Sequence, residues 1–297
     1  MSELSKPSLG LSQWSFHRAI LGDSRSDYEW FLRTLHSASP ERILRGELAP
    51  EQVLQYAVQL GVRCIDPVNI LFFSRVQDHQ WLAQWRHDAH RQGITFSCLM
   101  CDELGLLGAR NRAERQQAIA RHLPWLEAAQ RLGCNILRVN AYGEGSYLQQ
   151  LNQCSESLKE LADYAAGLGL QLVVENHGHP TGNGAWLAML IEACERDNLG
   201  VYLDFDNFCM GGWNLDPERR YDRYQGCIDL APYTLGVSAK SYAFDPQGRE
   251  TRIDYQRCLD ILVDHEFSGV IAAEYEGEAD DELGGTRATL DLLKSLL

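Results

Sequence analysis

The sequence predicts one α/β domain over residues 1–297, folded as a single (β/α)8 TIM barrel. Eight apolar runs of strand length alternate with amphipathic stretches of helical length along the chain. Several of these helical stretches end in a glycine just before the next strand, at Gly61, Gly93, Gly133 and Gly169. Glycine tolerates the left-handed conformation that ends a helix. A chain of 297 residues is long enough for one such barrel.

The predicted elements follow from these runs. The eight strands are residues 9–16, 62–68, 94–100, 135–140, 170–175, 200–205, 235–240 and 269–274. The helices are 50–60, 80–92, 113–132, 155–168, 185–197, 254–266 and 286–296, with a weaker pattern at 217–230. A doubly wound open sheet is the competing fold. We favour the closed barrel because no Gly-X-Gly-X-X-Gly follows the first strand and the units are regular.

The connections from strand to helix are the long ones, as in barrels whose chemistry lies at the carboxyl ends of the strands. They are residues 18–49, 69–79, 101–112, 143–154 and 209–216. The first contains a helical piece near 27–36. Its length predicts either a lid over the site or an interface in a homo-oligomer, and the sequence does not choose between them.

Composition and charge exclude several classes of protein. The 27 basic and 41 acidic residues give a net charge of −14, which repels nucleic acid and anionic membrane surfaces. No apolar stretch approaches the roughly 20 residues that span a bilayer, and the first residues lack a signal-peptide pattern. Nine scattered cysteines, several of them within apolar stretches, indicate reduced thiols. We therefore expect a cytoplasmic protein without nucleic-acid or membrane partners.

Polar side chains follow the apolar part of several predicted strands. Residues at one parity point into a barrel, which predicts four inward pairs: Glu175 with His177, Asp204 with Asp206, Ser238 with Lys240, and Glu274 with Glu276. The further candidates are Arg138, Asn140, Asp66 and His17. These side chains are expected to meet at the carboxyl end of the barrel.

Three or more carboxylates in one cavity repel each other strongly. A bound divalent cation relieves that repulsion, and oxygen ligands suit Mg²⁺ or Mn²⁺, with Co²⁺ next if an imidazole contributes. The alternative is that the acids form ion pairs with Arg138, Lys240 and Arg223 without any metal. The spacing of the residues leaves both interpretations open.

Five segments resemble blocks of a known family. They read VVENHGH, YLDFDNF, GVSAKSYAFDPQGRETRIDY, AAEYEGE and ILRVNAYGEGSYLQQL, and they are similar in order and spacing to xylose isomerase-like TIM barrels, the sugar phosphate isomerases/epimerases. The resemblance implies a divalent metal held by Glu175, Asp204 and Glu274. Ser238 stands where many relatives have a fourth ligand, His, so the resemblance leaves open whether a metal binds or Lys240 balances the carboxylates instead.

Together with this resemblance, two carboxylates and a cation in one cavity imply a proton-transfer enzyme acting on a small carbohydrate. Glu175 and Glu274 are the predicted catalytic acid and base, acting through an enediolate that a divalent Mn²⁺, Mg²⁺ or Co²⁺ ion stabilises. The predicted substrate-binding residues are His177, Arg138, Asn140, Lys240, His17 and Ser238. Return of the proton to the same carbon gives an epimerase, and return to the neighbouring carbon gives an isomerase.

Three other functions compete with this interpretation. If a β-hydroxyl leaves from the enediolate, the same site is a dehydratase or hydratase acting on a keto-sugar, inosose or dehydroshikimate-like substrate. A sugar-binding barrel without catalysis is favoured by the missing His ligand. Phosphodiester cleavage, found in DNA-repair relatives of this barrel, requires more His ligands and a basic groove, and the sequence has neither.

Overall fold

The computed structural model describes residues 6–211, 215–278 and 281–297, which form the predicted (β/α)8 barrel. All the strand pairings in these residues are parallel. The strands are β1 Ser8–Ser12, β2 Cys64–Asp66, β3 Thr95–Phe96, β4 Cys98–Met100, β5 Ile136–Val139, β6 Gln171–Glu175, β7 Leu199–Asp204, β8 Thr234–Ser241 and β9 Val270–Tyr275.

The third predicted strand, 94–100, is divided at Ser97 into β3 and β4, which lie at the two ends of the strand order β3-β2-β1-β9-β8-β7-β6-β5-β4. The Ser97 amide donates to the Ile65 carbonyl at 3.1 Å, and the Ser97 carbonyl accepts from the Asn135 amide at 3.0 Å. Ser97 thus contacts the neighbouring strands on both sides. The nine strands of the described residues therefore correspond to the eight predicted strands, with the third divided in two, and the sheet closes at Ser97.

Ten α-helices lie in the described part of the chain. They are α1 His17–Leu21, α2 Tyr28–Leu35, α3 Val53–Leu60, α4 His79–Arg91, α5 Arg112–Leu132, α6 Tyr147–Gly167, α7 Gly184–Cys194, α8 Arg223–Leu230, α9 Tyr255–Asp264 and α10 Glu282–Leu296. The helical piece predicted near 27–36 is α2. None of the helices in the described residues combines the length and the apolarity needed to cross a membrane.

Several predicted boundaries were wrong. The helix expected at 155 begins at Tyr147, because Ser146 and Gln149 form a reciprocal capping box that starts it eight residues earlier. The strand expected to reach 16 ends at Ser12, whose hydroxyl accepts from the Trp14 amide at 3.2 Å and opens a short 3₁₀ turn. The helical pattern at 217–230 becomes a helix only from Arg223.

A buried tyrosine and aspartate occupy the inside of the barrel. The ring of Tyr202 lies against Gly236, where a Cβ atom would come within 2.6 Å of it. The Tyr202 hydroxyl donates to Asp66, which also accepts from the Ser97 hydroxyl and from the Cys98 amide at 3.0 Å. Asp66 therefore links β2, β4 and β7 inside the barrel. It does not line the cavity described below.

Asp66 is expected to make the stability of the barrel depend on pH. Burial raises the pKa of Asp66 to about 6 from the ordinary 3.8, so between these values the folded chain holds a proton that the unfolded chain releases. The free energy of unfolding should therefore fall as the pH rises through this window. Asp66→Asn should remove up to about 3 kcal/mol of that fall, since each pH unit between the two pKa values corresponds to about 1.4 kcal/mol.

Urea unfolding of both proteins at a series of pH values from 3.5 to 7 measures this difference. Asp264→Asn, at an exposed position at the end of α9, is the matched control and should follow the wild type. If the free energy of unfolding of Asp66→Asn changes with pH just as that of the wild type does, Asp66 does not hold the assigned proton.

Candidate active site

A polar cavity of about 630 Å³ opens at the carboxyl ends of the strands. The first β-to-α connection contributes Arg25, Tyr28 and Phe31 to its wall. Seven of the residues predicted to face inward line the cavity: Arg138, Asn140, Glu175, His177, Lys240, Glu274 and Glu276. This position is the usual place for chemistry in a (β/α)8 barrel.

The register of the strands places the predicted carboxylates of β7 and β9 beside inward residues of β8. Asp204 at the end of β7 is paired with Ser238 on β8, and Lys240, two residues further, is paired with Glu274 on β9. Because alternate residues of a strand point the same way, Ser238 and Lys240 both face inward, Lys240 nearer the mouth. Lys240 thus lies between the carboxylates of β7 and β9.

Lys240 is the centre of an ion-pair cluster. Its Nζ atom lies 3.0 Å from Glu274 Oε1, 3.0 Å from Glu276 Oε1 and 3.3 Å from Asp204 Oδ2. The Lys240 side chain is only 4% exposed. The contact with Glu276 is a hydrogen bond, whereas Asp204 Oδ2 has no aligned hydrogen bond and meets the ammonium as an ion pair.

Arg138 forms a second cluster on β5. Its Nε atom lies 2.8 Å from Glu175 Oε2, without hydrogen-bond alignment, and its Nη1 atom donates to Asp102 Oδ1 at 2.6 Å. Asn140 Nδ2 also donates to Asp102 Oδ1 at 2.6 Å, and Asn207 Nδ2 donates to Glu175 Oε1 at 3.0 Å. The predicted inward cations, Arg138 and Lys240, are therefore both inside the barrel and both paired.

The remaining carboxylate oxygens also have donors on the protein. Glu274 Oε2 accepts from the Ser12 hydroxyl at 2.6 Å. Asp204 Oδ1 accepts from the backbone amides of Asp206 and Asn207 at 2.7 and 2.9 Å. Each of the six oxygens of Glu175, Asp204 and Glu274 thus contacts a hydrogen-bond donor or a cation of the chain itself.

Burial and charge shift the carboxyl groups in opposite directions. Burial, followed by the neighbouring acids, raises the pKa of Glu175 and of Asp204 above their ordinary values, although Arg138 and Lys240 oppose the rise. Burial also acts on Glu276 and Asp102, but there the cation prevails, and Lys240 and Arg138 respectively lower the pKa. The site therefore contains both readily protonated and firmly ionised carboxyl groups.

The two predicted histidines have different surroundings. His177 lines the cavity with its Nδ1 atom at the Tyr142 hydroxyl, and burial lowers its pKa to about 3, so it is neutral at physiological pH. His17 does not line the cavity: its ring stacks on Trp14 at 4.4 Å, and its Nδ1 atom lies 2.8 Å from the Trp14 carbonyl. His17 supports Trp14, which corrects its predicted contact with substrate.

Two other predicted residues lie below the cavity rather than in its lining. Ser238 is fully buried, and its hydroxyl makes no hydrogen bond, so direct contact with a sugar is replaced by a place in the floor. Asp204 is also fully buried and contacts two residues that line the cavity, Lys240 and Asn207. Asp206, expected beside Asp204, is instead held by Arg220, Arg223 and Tyr242.

Sequence reasoning missed several residues of the site. Asp102 follows the third predicted strand at the parity of Met100, so the rule that found Glu175 also finds Asp102. Asn207 lies in the YLDFDNF segment but was not singled out. Arg25 and Tyr28 come from the long first connection, and no local pattern predicts that they reach the cavity.

The fit of a divalent ion can be judged from these contacts. The predicted ligands Glu175, Asp204 and Glu274 offer oxygens of the right type, but all six are already engaged by donors or cations of the chain. Within the residues that the structure describes, no group of three or more His, Cys, Asp or Glu side chains is arranged to hold a metal ion. The donor set does not fit a resident divalent ion while Lys240 is in place.

Solved structures with low sequence identity share this fold. The IolI protein with a bound zinc atom has a TM-score of 0.71 at 15% identity, over 98% of this chain and 99% of that one. D-allulose 3-epimerase from Methylomonas sp. has a TM-score of 0.70 at 12% identity, with 100% of both chains covered. A probable 3-DHS dehydratase involved in petrobactin synthesis from Bacillus anthracis has a TM-score of 0.64 at 13% identity, over 97% and 98%.

No curated protein matches the chain in sequence. The family described as xylose isomerase-like TIM barrels, by contrast, matches residues 54–296. This range contains β2 to β9 and every residue of the two ion-pair clusters, whereas Ser12, which donates to Glu274, lies before it. The resemblance seen in the five sequence segments is thereby confirmed, and the chain belongs to the xylose isomerase-like TIM barrel family.

Proposed function

We propose that the protein is an isomerase or epimerase of a small carbohydrate that works by proton transfer. The observation that carries the proposal is the presence of two buried glutamates, Glu175 on β6 and Glu274 on β9, in one polar cavity beside two buried cations. Relatives in fold include an enzyme named for epimerisation of a ketose. Their identity is too low to transfer a substrate.

Glu175 and Glu274 have the positions required of an acid and a base. They stand on strands three places apart in the sheet, so a small substrate between them presents a different face to each. One carboxylate takes the proton from the carbon next to the carbonyl, and the other returns a proton. Asn207, Arg138 and Ser12 hold the two carboxyl groups in place through the contacts given above.

The enediolate formed by that step carries negative charge on the former carbonyl oxygen. Arg138 and Lys240 are cations of the chain that line the same cavity. The sequence also predicted Mn²⁺, Mg²⁺ or Co²⁺ for this role, and a zinc atom is bound in one structure similar to this chain. Binding of a divalent ion remains a prediction. The carboxylate oxygens that would bind it already contact hydrogen-bond donors or cations of the protein.

The cavity has the size and lining of a site for a small polyhydroxylated substrate. Trp14 and Tyr142 supply aromatic surface, and Asn140, His177 and Glu276 supply polar atoms. His177 and Asn140 are accordingly proposed to bind hydroxyl groups. Assembly into a homo-oligomer stays a prediction.

Replacing either catalytic glutamate should abolish proton transfer. Glu175→Gln and Glu274→Gln keep the size of the side chain but remove the group that accepts the proton, and each should lower the rate by about 10²- to 10⁴-fold. The measurement is NMR of hydrogen exchange at carbon in D₂O with a panel of ketoses and keto-sugars. Glu127→Gln, on the exposed face of α5, is the matched control and should retain the wild-type rate.

A loss below about tenfold in both glutamine variants would contradict acid–base catalysis by this pair. If no member of the panel exchanges hydrogen but a sugar stabilises the fold against heat, the protein is a sugar-binding barrel without catalysis.

The same panel should separate isomerisation or epimerisation from dehydration. We expect deuterium to enter the product without loss of water, because the two carboxyl groups suffice to move a proton from one face or carbon to another. Product analysis by NMR and ultraviolet absorbance measures the two outcomes together. An enone absorbance that grows with loss of a hydroxyl would make the enzyme a hydro-lyase instead.

A further inference from the structure

We propose that the Lys240 ammonium takes the place of a resident divalent cation, so that this site carries out its proton transfer without a metal. The inference rests on the proposed function and deepens it by naming the cation that stabilises the enediolate. It is drawn from the contacts of Lys240 and of the three carboxylates that the sequence predicted as metal ligands.

A divalent ion and the Lys240 ammonium compete for the same space. Lys240 Nζ lies within 3.3 Å of Asp204 Oδ2 and 3.0 Å of Glu274 Oε1, the two oxygens nearest to it from the predicted ligands. A divalent ion binds oxygen at about 2.0–2.6 Å. An ion that bound both oxygens at these distances would occupy the space that the ammonium now fills, so the two cations exclude each other.

The third carboxylate, that of Glu175, is held by residues other than Lys240. Glu175 contacts Arg138 through Oε2 and Asn207 through Oε1. The fourth inward position carries Ser238, whose neutral hydroxyl is a weaker ligand than an imidazole or a carboxylate. To bind the three carboxylates, a divalent ion would therefore have to separate them from two buried cations, Arg138 and Lys240, and Ser238 would offer it only a hydroxyl as a fourth ligand.

Lys240 can reach a substrate in the cavity. It lines the cavity, and its carboxylate partner nearest the solvent is Glu276, whose side chain is 28% exposed and also accepts from Trp14 Nε1 at 2.7 Å. An ammonium has three N–H donors. A substrate carbonyl oxygen that replaces Glu276 at the ammonium would receive a charge-assisted hydrogen bond, while Trp14 continues to hold the displaced carboxylate.

The chemical step balances without any further reactant. The base removes the proton from the carbon next to the carbonyl, and the electron pair of that C–H bond moves to form the enediolate. The negative charge collects on the oxygen that accepts from Lys240, where a fixed cation stabilises it most. The other glutamate, in its protonated form, then returns a proton to carbon, the two carboxyl groups regain their starting protonation through solvent, and the ammonium keeps all of its own protons.

Metal binding tests the inference without a substrate. The metal-stripped, folded wild-type protein is titrated with Mn²⁺ by calorimetry, and we expect no saturable binding up to millimolar ion. Saturable binding at one site, lost in Glu274→Gln, would overturn the inference. This measurement decides the question even if the proposed function fails and no sugar exchanges hydrogen.

Activity supplies the second test. Hydrogen exchange by the wild type should be unchanged by a chelator, whereas Lys240→Ala should lower the rate by about 10²- to 10³-fold, the usual cost of removing a group that stabilises an oxyanion. Ethylammonium added to Lys240→Ala should restore part of the rate, since it supplies the missing charge. Lys294→Ala, which removes a half-exposed lysine of α10, is the matched control and should keep the wild-type rate.

Each contrary outcome has a separate meaning. Exchange that a chelator abolishes and Mn²⁺ restores would overturn the inference and leave the proposed function standing. A Lys240→Ala loss that ethylammonium does not reverse, in a folded variant, would give Lys240 a structural role only and also overturn it. If Lys240→Ala does not fold, the hydrogen-exchange rate is measured on Lys240→Met, which fills a similar volume without the charge. A rate equal to that of the wild type would overturn the inference.

Discussion

The site depends on the pairing of buried carboxylates with two buried cations. Asp204, Glu274 and Glu276 meet the Lys240 ammonium within 3.3 Å, and Glu175 meets the Arg138 guanidinium at 2.8 Å. Leaving one member of a buried pair without its partner typically costs about 3–5 kcal/mol. Removing either cation therefore affects folding as well as the chemistry of the site, because the cations allow the carboxylates to be buried.

The barrel provides this arrangement through strand register and through the filling of its interior. Neighbouring parallel strands place Asp204 beside Ser238 and Lys240 beside Glu274, so residues far apart in sequence come into contact. Below them the Tyr202 ring fills the space left by Gly236. The cavity consequently begins above a packed floor, at the carboxyl ends of the strands, where such barrels place their chemistry.

Periodicity and strand ends predicted most of the barrel and part of the site. The rule that inward residues alternate located Glu175, Lys240 and Glu274, because it depends only on the local geometry of a strand. It did not locate the break at Ser97, which arises from pairing with strands on both sides. Nor did it show that Arg25 reaches the cavity, since a long loop is positioned by tertiary contacts that leave no periodic signal.

Family membership does not determine which cation serves this site, because fold and chemistry are separable. Three inward carboxylates at the ends of β6, β7 and β9 can be neutralised by a divalent ion or by cationic side chains. On β8 the choice rests on two inward positions, 238 and 240. A strong ligand at 238 would hold an ion at the level of Asp204, whereas a serine there leaves the Lys240 ammonium as the nearest positive charge. The contacts of those two residues, rather than the resemblance of the surrounding sequence, decide the chemistry that the barrel can perform.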